Sequence, residues 1–329
     1  MKSVTPPTLK FSRFAAYAWA VLAFNLLVIV WGAYVRATGA GAGCGDHWPL
    51  CNGAVVPRAP EVKTLVEFTH RLTSGVALLL VVGLVVWAFR AFRRGHPVRG
   101  GAALSLLFIV VEALIGAGLV LLQLVADNAS VARAVYLSVH LVNTFVLVAV
   151  LALTAWWASG GAPSRWRGRG ALGRHVAGVL AATLALGVSG AVAALGATLF
   201  PESAAEEAAR GDLSAASRLM FSLRHYKLHP LLALLVGGYV VGFAVALRRR
   251  HPAGWAARWA SAAVWLVAAQ TVVGLVNAAL LAPVWLQLAH LLLADLLWLA
   301  LVLLSASALA ESEIRAAEFG PADLSAARA

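Results

Sequence analysis

Four histidines stand near the ends of strongly apolar segments of the chain: His70, His140, His229 and His290. An imidazole inside a membrane is costly unless something binds it, because lipid offers no partner for its ring nitrogens. Two such residues on facing helices can hold one metal ion from both sides, as in a haem with two axial histidines. The pattern therefore predicts two haem sites. The alternative for any single residue is a hydrogen bond to a neighbouring helix.

The segments that carry these histidines are long enough to cross a bilayer. The chain is 61% hydrophobic and only 12% charged, and its mean hydropathy is +0.84, which excludes an ordinary soluble domain. Since about 20 apolar residues cross a hydrocarbon layer of ~30 Å, we expect an all-α integral membrane protein. Its eight transmembrane helices are expected at roughly 14–36, 67–89, 101–125, 134–157, 175–199, 226–247, 259–281 and 285–309.

The chain also contains an internal duplication, which is typical of membrane bundles built from two copies. The residues that align are His70 with His229, Arg90 with Arg249, Glu112 with Gln270, Gly116 with Gly274, His140 with His290, and Gly32 with Gly190. We therefore predict two four-helix bundles, residues 1–160 and 161–329. Each copy has an even number of helices, so the pseudo-twofold axis relating them should run along the membrane normal.

Basic residues give the orientation, because Lys and Arg in short loops stay on the cytoplasmic side. All of the basic clusters fall on one side of the eight expected helices: Lys2, Lys10 and Arg13; Arg90, Arg93, Arg94 and Arg99; Arg165, Arg167, Arg169 and Arg174; Arg248, Arg249, Arg250 and Arg258. Both termini are therefore expected in the cytoplasm, and all four histidines near the outer leaflet. The net charge of +12 is explained by topology and by contact with anionic lipid, so no nucleic-acid partner is expected.

Two further motifs lie at the outer side. Cys44 and Cys51 are the only cysteines; outside the membrane they are expected to form a disulfide, with a catalytic dithiol as the alternative. Glu67 is three residues before His70 and shares its helix face. Its carboxylate either points into the site of that histidine or stabilises the helix N-terminus. Arg71 either neutralises a haem propionate or anchors at the headgroups.

Together these motifs resemble those of the haem A synthase family. The resemblance rests on the run from Gly32 to Cys51 (GAYVRATGAGAGCGDHWPLC), on Glu67-x-x-His70-Arg71, and on the histidines of helices four, six and eight. It spans all eight helices. It implies an oxidoreductase of a prokaryotic cytoplasmic membrane that oxidises a ring methyl of haem O to the formyl group of haem A, for assembly of terminal oxidases.

The resemblance also assigns roles and partners. It implies that His70 and His140 hold the substrate haem O, that Glu67 is catalytic, and that His229 and His290 ligate a haem b. The implied partners are a farnesyltransferase that makes haem O and an electron acceptor, because taking a methyl to an aldehyde removes four electrons. A homo-oligomer is left open.

The second half departs from the family pattern. Residues 200–225 contain no cysteine, and Pro230 follows His229 where an arginine is common. We expect Lys227 or Arg224 to replace that cation. Two other functions use the same histidines: a cytochrome that exchanges electrons with quinone, which would need neither Glu67 nor the cysteine loop, and a haem carrier, whose sites should lie nearer the midplane.

Overall fold

The computed structural model describes residues 12–163, 170–199 and 228–318, and within these ranges the fold is all-helical. Eight helices are long and apolar enough to cross a membrane, as the sequence predicts. They are α1 Arg13–Ala37, α2 Val62–Ala91, α3 Pro97–Leu121, α4 Val131–Ala158, α5 Gly170–Leu199, α6 Leu228–Arg250, α7 Gly254–Ala279 and α8 Val284–Glu318. The basic residues Lys2, Lys10, Arg165, Arg167 and Arg169, and residues 200–225 with Arg224 and Lys227, lie outside the described residues.

Local signals in the sequence set several helix starts. The hydroxyl of Ser12 accepts a hydrogen bond from the backbone of Ala15 at the start of α1 (3.1 Å), and Ser130 caps α4 in the same way. Helix α8 begins directly after Pro283, as the sequence predicts. Helix α2, in contrast, begins at Val62 and not at the predicted residue 67.

The early start of α2 changes the depth of its histidine. His70 is the ninth residue of α2 and His140 the tenth of α4, so both lie in the third helical turn and not in the first two turns. The expected boundary was too late because charged and polar residues at 61–67 interrupt the apolar run without interrupting the helix. At about 1.5 Å per residue, each histidine lies roughly 12–14 Å from the start of its helix.

The helices pack as two rings of four. In the first ring α1 contacts α2, α2 contacts α3, α3 contacts α4, and α4 closes on α1; helices α5 to α8 repeat this order. The rings meet where α4 contacts α5 and α8, and where α1 contacts α8. Exchanging α1–α4 with α5–α8 leaves this set of contacts unchanged. The pattern supports the pseudo-twofold axis, whose direction along the membrane normal stays a prediction, as does the division at residue 160.

Buried aromatic packing joins the two rings along α4 and α8. The rings of Phe145 and Trp298 stack with centroids 5.2 Å apart, and the indole N–H of Trp298 donates to the carbonyl of Phe145 at 2.7 Å. These residues lie five positions after His140 and eight after His290. The helices that carry one histidine of each pair are therefore fixed directly against each other.

Candidate functional site

The carboxylate of Glu67 is buried and fully oriented. Glu67 is only 3% exposed. One oxygen accepts the backbone N–H of Cys44 at 2.8 Å; the other accepts two hydrogen bonds from the guanidinium of Arg71, from Nε at 3.1 Å and from Nη2 at 2.5 Å. These three donors come from two separate elements, so the position of the carboxylate depends on both α2 and the outer loop.

The outer loop is closed by a disulfide and held down on α2. Cys44 and Cys51 are bonded, as the sequence predicts. The Nη1 atom of Arg71 donates to the carbonyls of His47 and Leu50, both at 2.6 Å. Gly43 lies so close to α2 that a Cβ atom would stand 2.5 Å from the backbone of Lys63, so only glycine permits this contact.

These contacts change the interpretation of Arg71. We expected it to neutralise a haem propionate or to anchor at the headgroups. In the structure every nitrogen of its guanidinium donates to Glu67 or to loop carbonyls. Arg71 therefore ties the carboxylate to the loop. Glu67 and His70 share a helix face as predicted, but within the described residues the carboxylate hydrogen-bonds to the loop and to Arg71, not to the imidazole.

His140 has a carboxylate partner that orients its ring. The Nδ1 atom of His140 lies 3.1 Å from the Oε1 atom of Glu112 on α3. Asn143 donates to the other oxygen of Glu112 at 2.5 Å, and the hydroxyl of Thr144 also donates to Glu112. A carboxylate beside Nδ1 favours the tautomer that carries its proton there and leaves Nε2 free, the usual arrangement for a histidine that ligates a metal.

The ring of His70 lies against a glycine of α1. A Cβ atom on Gly32 would stand 2.9 Å from the Cε1 atom of His70, so the missing side chain makes room for the ring. His70 lies within electrostatic range of both His140 and Glu112. Its Nδ1 is buried without a hydrogen-bond partner among the described residues. The first ring of helices thus brings the two histidines predicted for one site together.

The second ring repeats this arrangement with other partners. A Cβ atom on Gly190 would stand 2.9 Å from the Cε1 atom of His229, matching the contact of Gly32 with His70. The Nδ1 atom of His229 lies 2.9 Å from the hydroxyl of Ser189. The amide of Gln270, which aligns with Glu112 in the duplication, lies 3.3 Å from Nε2 of His290, so in both halves this position meets the histidine of the following helix.

The geometry of His229 and His290 fits an iron between them. Their ring centroids are 6.4 Å apart. Two imidazoles that bind one metal ion through bonds of about 2 Å have centroids roughly 6 Å apart. Within the described residues no three His, Cys, Asp or Glu side chains come together as a metal site.

Comparison with known proteins identifies the family. The family model of cytochrome oxidase assembly proteins, COX15-CtaA, matches residues 15–302, which includes all four histidines, both cysteines and every helix. The chain belongs to this family. This match confirms the family resemblance drawn from the motifs. It also supports the prediction that the chain is a multi-pass membrane protein.

Individual relatives match over different lengths. A protein of Thermus thermophilus named protoheme IX farnesyltransferase is 54% identical over 298 residues, which cover 91% of this chain and 49% of that protein. Heme A synthase of an Exiguobacterium species is 40% identical over 98 residues, 30% of this chain and 33% of the relative. Heme A synthase of Bacillus mycoides is 40% identical over 109 residues, 33% and 35% respectively. The chain thus spans about half the length of the Thermus relative.

Sequence reasoning identified the four histidines, Glu67 and the cysteine pair, but it underrated the residues that support them. Glu112 was noted for its alignment with Gln270; in the structure it accepts hydrogen bonds from Asn143 and Thr144, and it also lies against the imidazole of His140. Its alignment with Gln270 was the available signal, since both positions precede a histidine on the next helix. The alignment of Gly32 with Gly190 was a similar signal, because each glycine makes room for a histidine ring in its own half.

The disulfide can be tested by labelling. In protein purified without reductant, Cys44 and Cys51 should resist a thiol-alkylating reagent, because both are buried and bonded to each other. After reduction and unfolding, mass spectrometry should show two added alkyl groups. Rapid labelling of both cysteines in untreated, folded protein would contradict the pairing.

Proposed function

We propose that this protein is a haem A synthase, which oxidises a ring methyl of haem O to the formyl group of haem A. The observation that carries the proposal is an asymmetry between two otherwise similar sites. Each has two histidines with a glycine against at least one ring, Gly32 in the first site and both Gly190 and Gly274 in the second, but only the first has a buried, oriented carboxylate three residues before a histidine. The position that aligns with Glu67 in the second half is Tyr226.

The asymmetry supports a division of roles. We assign haem O, as substrate, to His70 and His140, next to Glu67. We assign a resident haem b to His229 and His290, whose ring centroids are 6.4 Å apart. These two histidines would hold the haem, which would supply one-electron redox chemistry. We place both termini in the cytoplasm, because the basic residues that flank the helices lie on one side of the membrane in the predicted topology.

The reaction needs electron removal and proton transfer. Conversion of a methyl to a formyl group takes up the oxygen atom of one water and releases four protons and four electrons, and the haem b, when bound, would supply one-electron redox chemistry for passing the electrons on to an acceptor. Glu67 is the side chain placed to accept or relay the protons at the substrate site. The backbone N–H of Cys44 and the guanidinium of Arg71 keep its carboxylate in one orientation. Glu112 orients His140 on the other side of that site.

The contacts of Glu67 favour an enzyme over a simple electron carrier. A cytochrome that exchanges electrons with quinone needs the histidine pairs, but it has no use for a carboxylate fixed by a disulfide-closed loop. The Thermus relative adds support for a farnesyltransferase as partner, because a protein of that name contains a region like this chain within a length about twice as great.

The proposal is tested by the haems that accumulate in a cell. The chain is expressed with a farnesyltransferase that makes haem O, in a host that makes no haem A, and extracted haems are separated by chromatography and weighed by mass spectrometry. We expect a formyl haem that is absent when the chain is omitted. Only haem B and haem O, despite correctly inserted protein, would contradict the synthase.

A further inference from the structure

Arg36 crosses from the first half of the molecule into the second. It lies at the end of α1, but its guanidinium donates to residues of α5 and α8. Nη1 donates to the carbonyl of Ala194 at 3.1 Å and to the hydroxyl of Thr198 at 2.9 Å. Nη2 donates to the side-chain oxygen of Gln287 at 3.0 Å. A charge encoded in the first half is therefore placed between two helices of the second.

The guanidinium lies next to the second pair of histidines. Ala194 is four residues after Gly190, the glycine that meets His229, and Gln287 is three residues before His290. Residues three or four apart share one face of a helix, so on both helices Arg36 contacts the turn adjacent to the histidine site. One turn is about 5.4 Å along the axis, a distance that the side arm of a porphyrin can span.

Arg36 has no acidic partner within the described residues, since its three acceptors are neutral. A second cation, Arg133, is near enough to repel it. Arg133 is only 3% exposed and its Nε has no hydrogen-bond partner among the described residues. Asp127 attracts Arg133 electrostatically but forms no ion pair with it in the described part of the chain. Two nearby cations without a bound carboxylate favour an anion between them.

The second half has no cation at the position directly after its first histidine, and the two residues expected to replace it, Arg224 and Lys227, lie outside the described residues. In the first half Arg71 follows His70; the aligned residue after His229 is Pro230. The Arg71 guanidinium is itself occupied by Glu67 and the loop carbonyls. Arg36 is the arginine that the structure brings to α5 and α8 instead.

We infer that Arg36 binds a propionate carboxylate of the haem held between His229 and His290. The first half of the chain thus completes the haem site of the second. Guanidinium and carboxylate form strong, charge-assisted hydrogen bonds, and Nη2 of Arg36 donates to only one acceptor among the described residues, which leaves its second N–H for a carboxylate oxygen. The inference rests on the proposed haem in the second site, but it does not depend on formation of haem A.

The test compares two porphyrins that differ only at the propionates. Full-length protein without haem is titrated with protohaem and with its dimethyl ester, and the second site is followed by the low-spin absorbance that the His290→Ala variant lacks. The wild type should bind protohaem at least about tenfold more tightly than the ester, since a charge-assisted hydrogen bond contributes more than 1.4 kcal/mol. Arg36→Gln should lose this preference and Arg36→Lys should keep part of it. The control Arg58→Ala, an exposed charge of the outer loop, should keep all of it.

Each outcome decides the inference. An undiminished preference for protohaem in Arg36→Gln overturns it. If Arg36→Gln weakens the binding of protohaem and of its dimethyl ester equally, the inference is also overturned, because Arg36 then has a purely structural role. Glutamine retains a donor for Gln287 or Thr198, and Arg36→Lys retains the charge, so the test does not depend on one variant. If haem binds with the expected preference but no haem A forms in cells, the synthase proposal fails and this inference stands.

Discussion

Replacing Glu67 with glutamine should leave haem bound and lower haem A formation by at least about a hundredfold, the range typical of losing a positioned acid or base. The amide cannot take up a proton as the carboxylate does. It also loses the ion pair with Arg71, and its NH₂ group must face one of the donors that now converge on the carboxylate. Chromatography of extracted haems gives the product, and the visible spectrum of the purified protein gives the bound haem. The alcohol intermediate is the species expected to accumulate.

The matched control for this variant is Glu61→Gln. Glu61 precedes the first residue of α2, is exposed, and makes no side-chain capping bond, so its loss removes the same charge without touching the site. Haem A should then form at the wild-type level. Wild-type haem A in Glu67→Gln would reduce that residue to a structural link between α2 and the loop.

His229→Ala and His290→Ala should each abolish the low-spin spectrum of the second haem, because each removes one of the two proposed haem ligands, whose ring centroids are 6.4 Å apart. His70→Ala and His140→Ala should retain that spectrum, since they alter the other site. Absorbance and electron paramagnetic resonance of the purified variants measure the effect. Added imidazole should restore the signal in a folded variant by filling the vacant axial position.

The control is His175→Ala, an exposed histidine in α5, which should leave both spectra unchanged. An unaltered low-spin spectrum in both His229→Ala and His290→Ala would contradict the pairing. A low-spin spectrum that disappears in His70→Ala and persists in His290→Ala would place the resident haem in the first half.

The apolar runs were sufficient to predict the number and order of the helices, because a membrane span must satisfy its backbone internally and tolerates few charges. They were insufficient for helix ends, as α2 illustrates: the segment from Val62 to Glu67 is polar enough to look like a loop, yet it forms helix. Polarity marks where a helix leaves the lipid, and hydrogen bonding decides where it ends.

The histidines were predictable because a costly residue repeated in two halves needs an explanation within each half. The partners of Glu67 and Arg36 were not, because their contacts join segments that are distant in the sequence. Glu67 accepts a hydrogen bond from the backbone N–H of Cys44. Nearly every residue has such a group, so the amino-acid type at position 44 does not reveal the contact. Arg36 contacts the opposite half of the molecule, and an alignment of one half with the other compares equivalent positions without showing which of them touch.

The disulfide-closed loop links a redox bond to the orientation of a buried carboxylate. The backbone N–H that holds one oxygen of Glu67 belongs to Cys44, which is itself one partner of the disulfide. Reduction of that bond would release the constraint on the loop, and with it one of the three hydrogen bonds that orient the carboxylate. The orientation of Glu67 therefore depends on a covalent bond that is remote from it along the sequence.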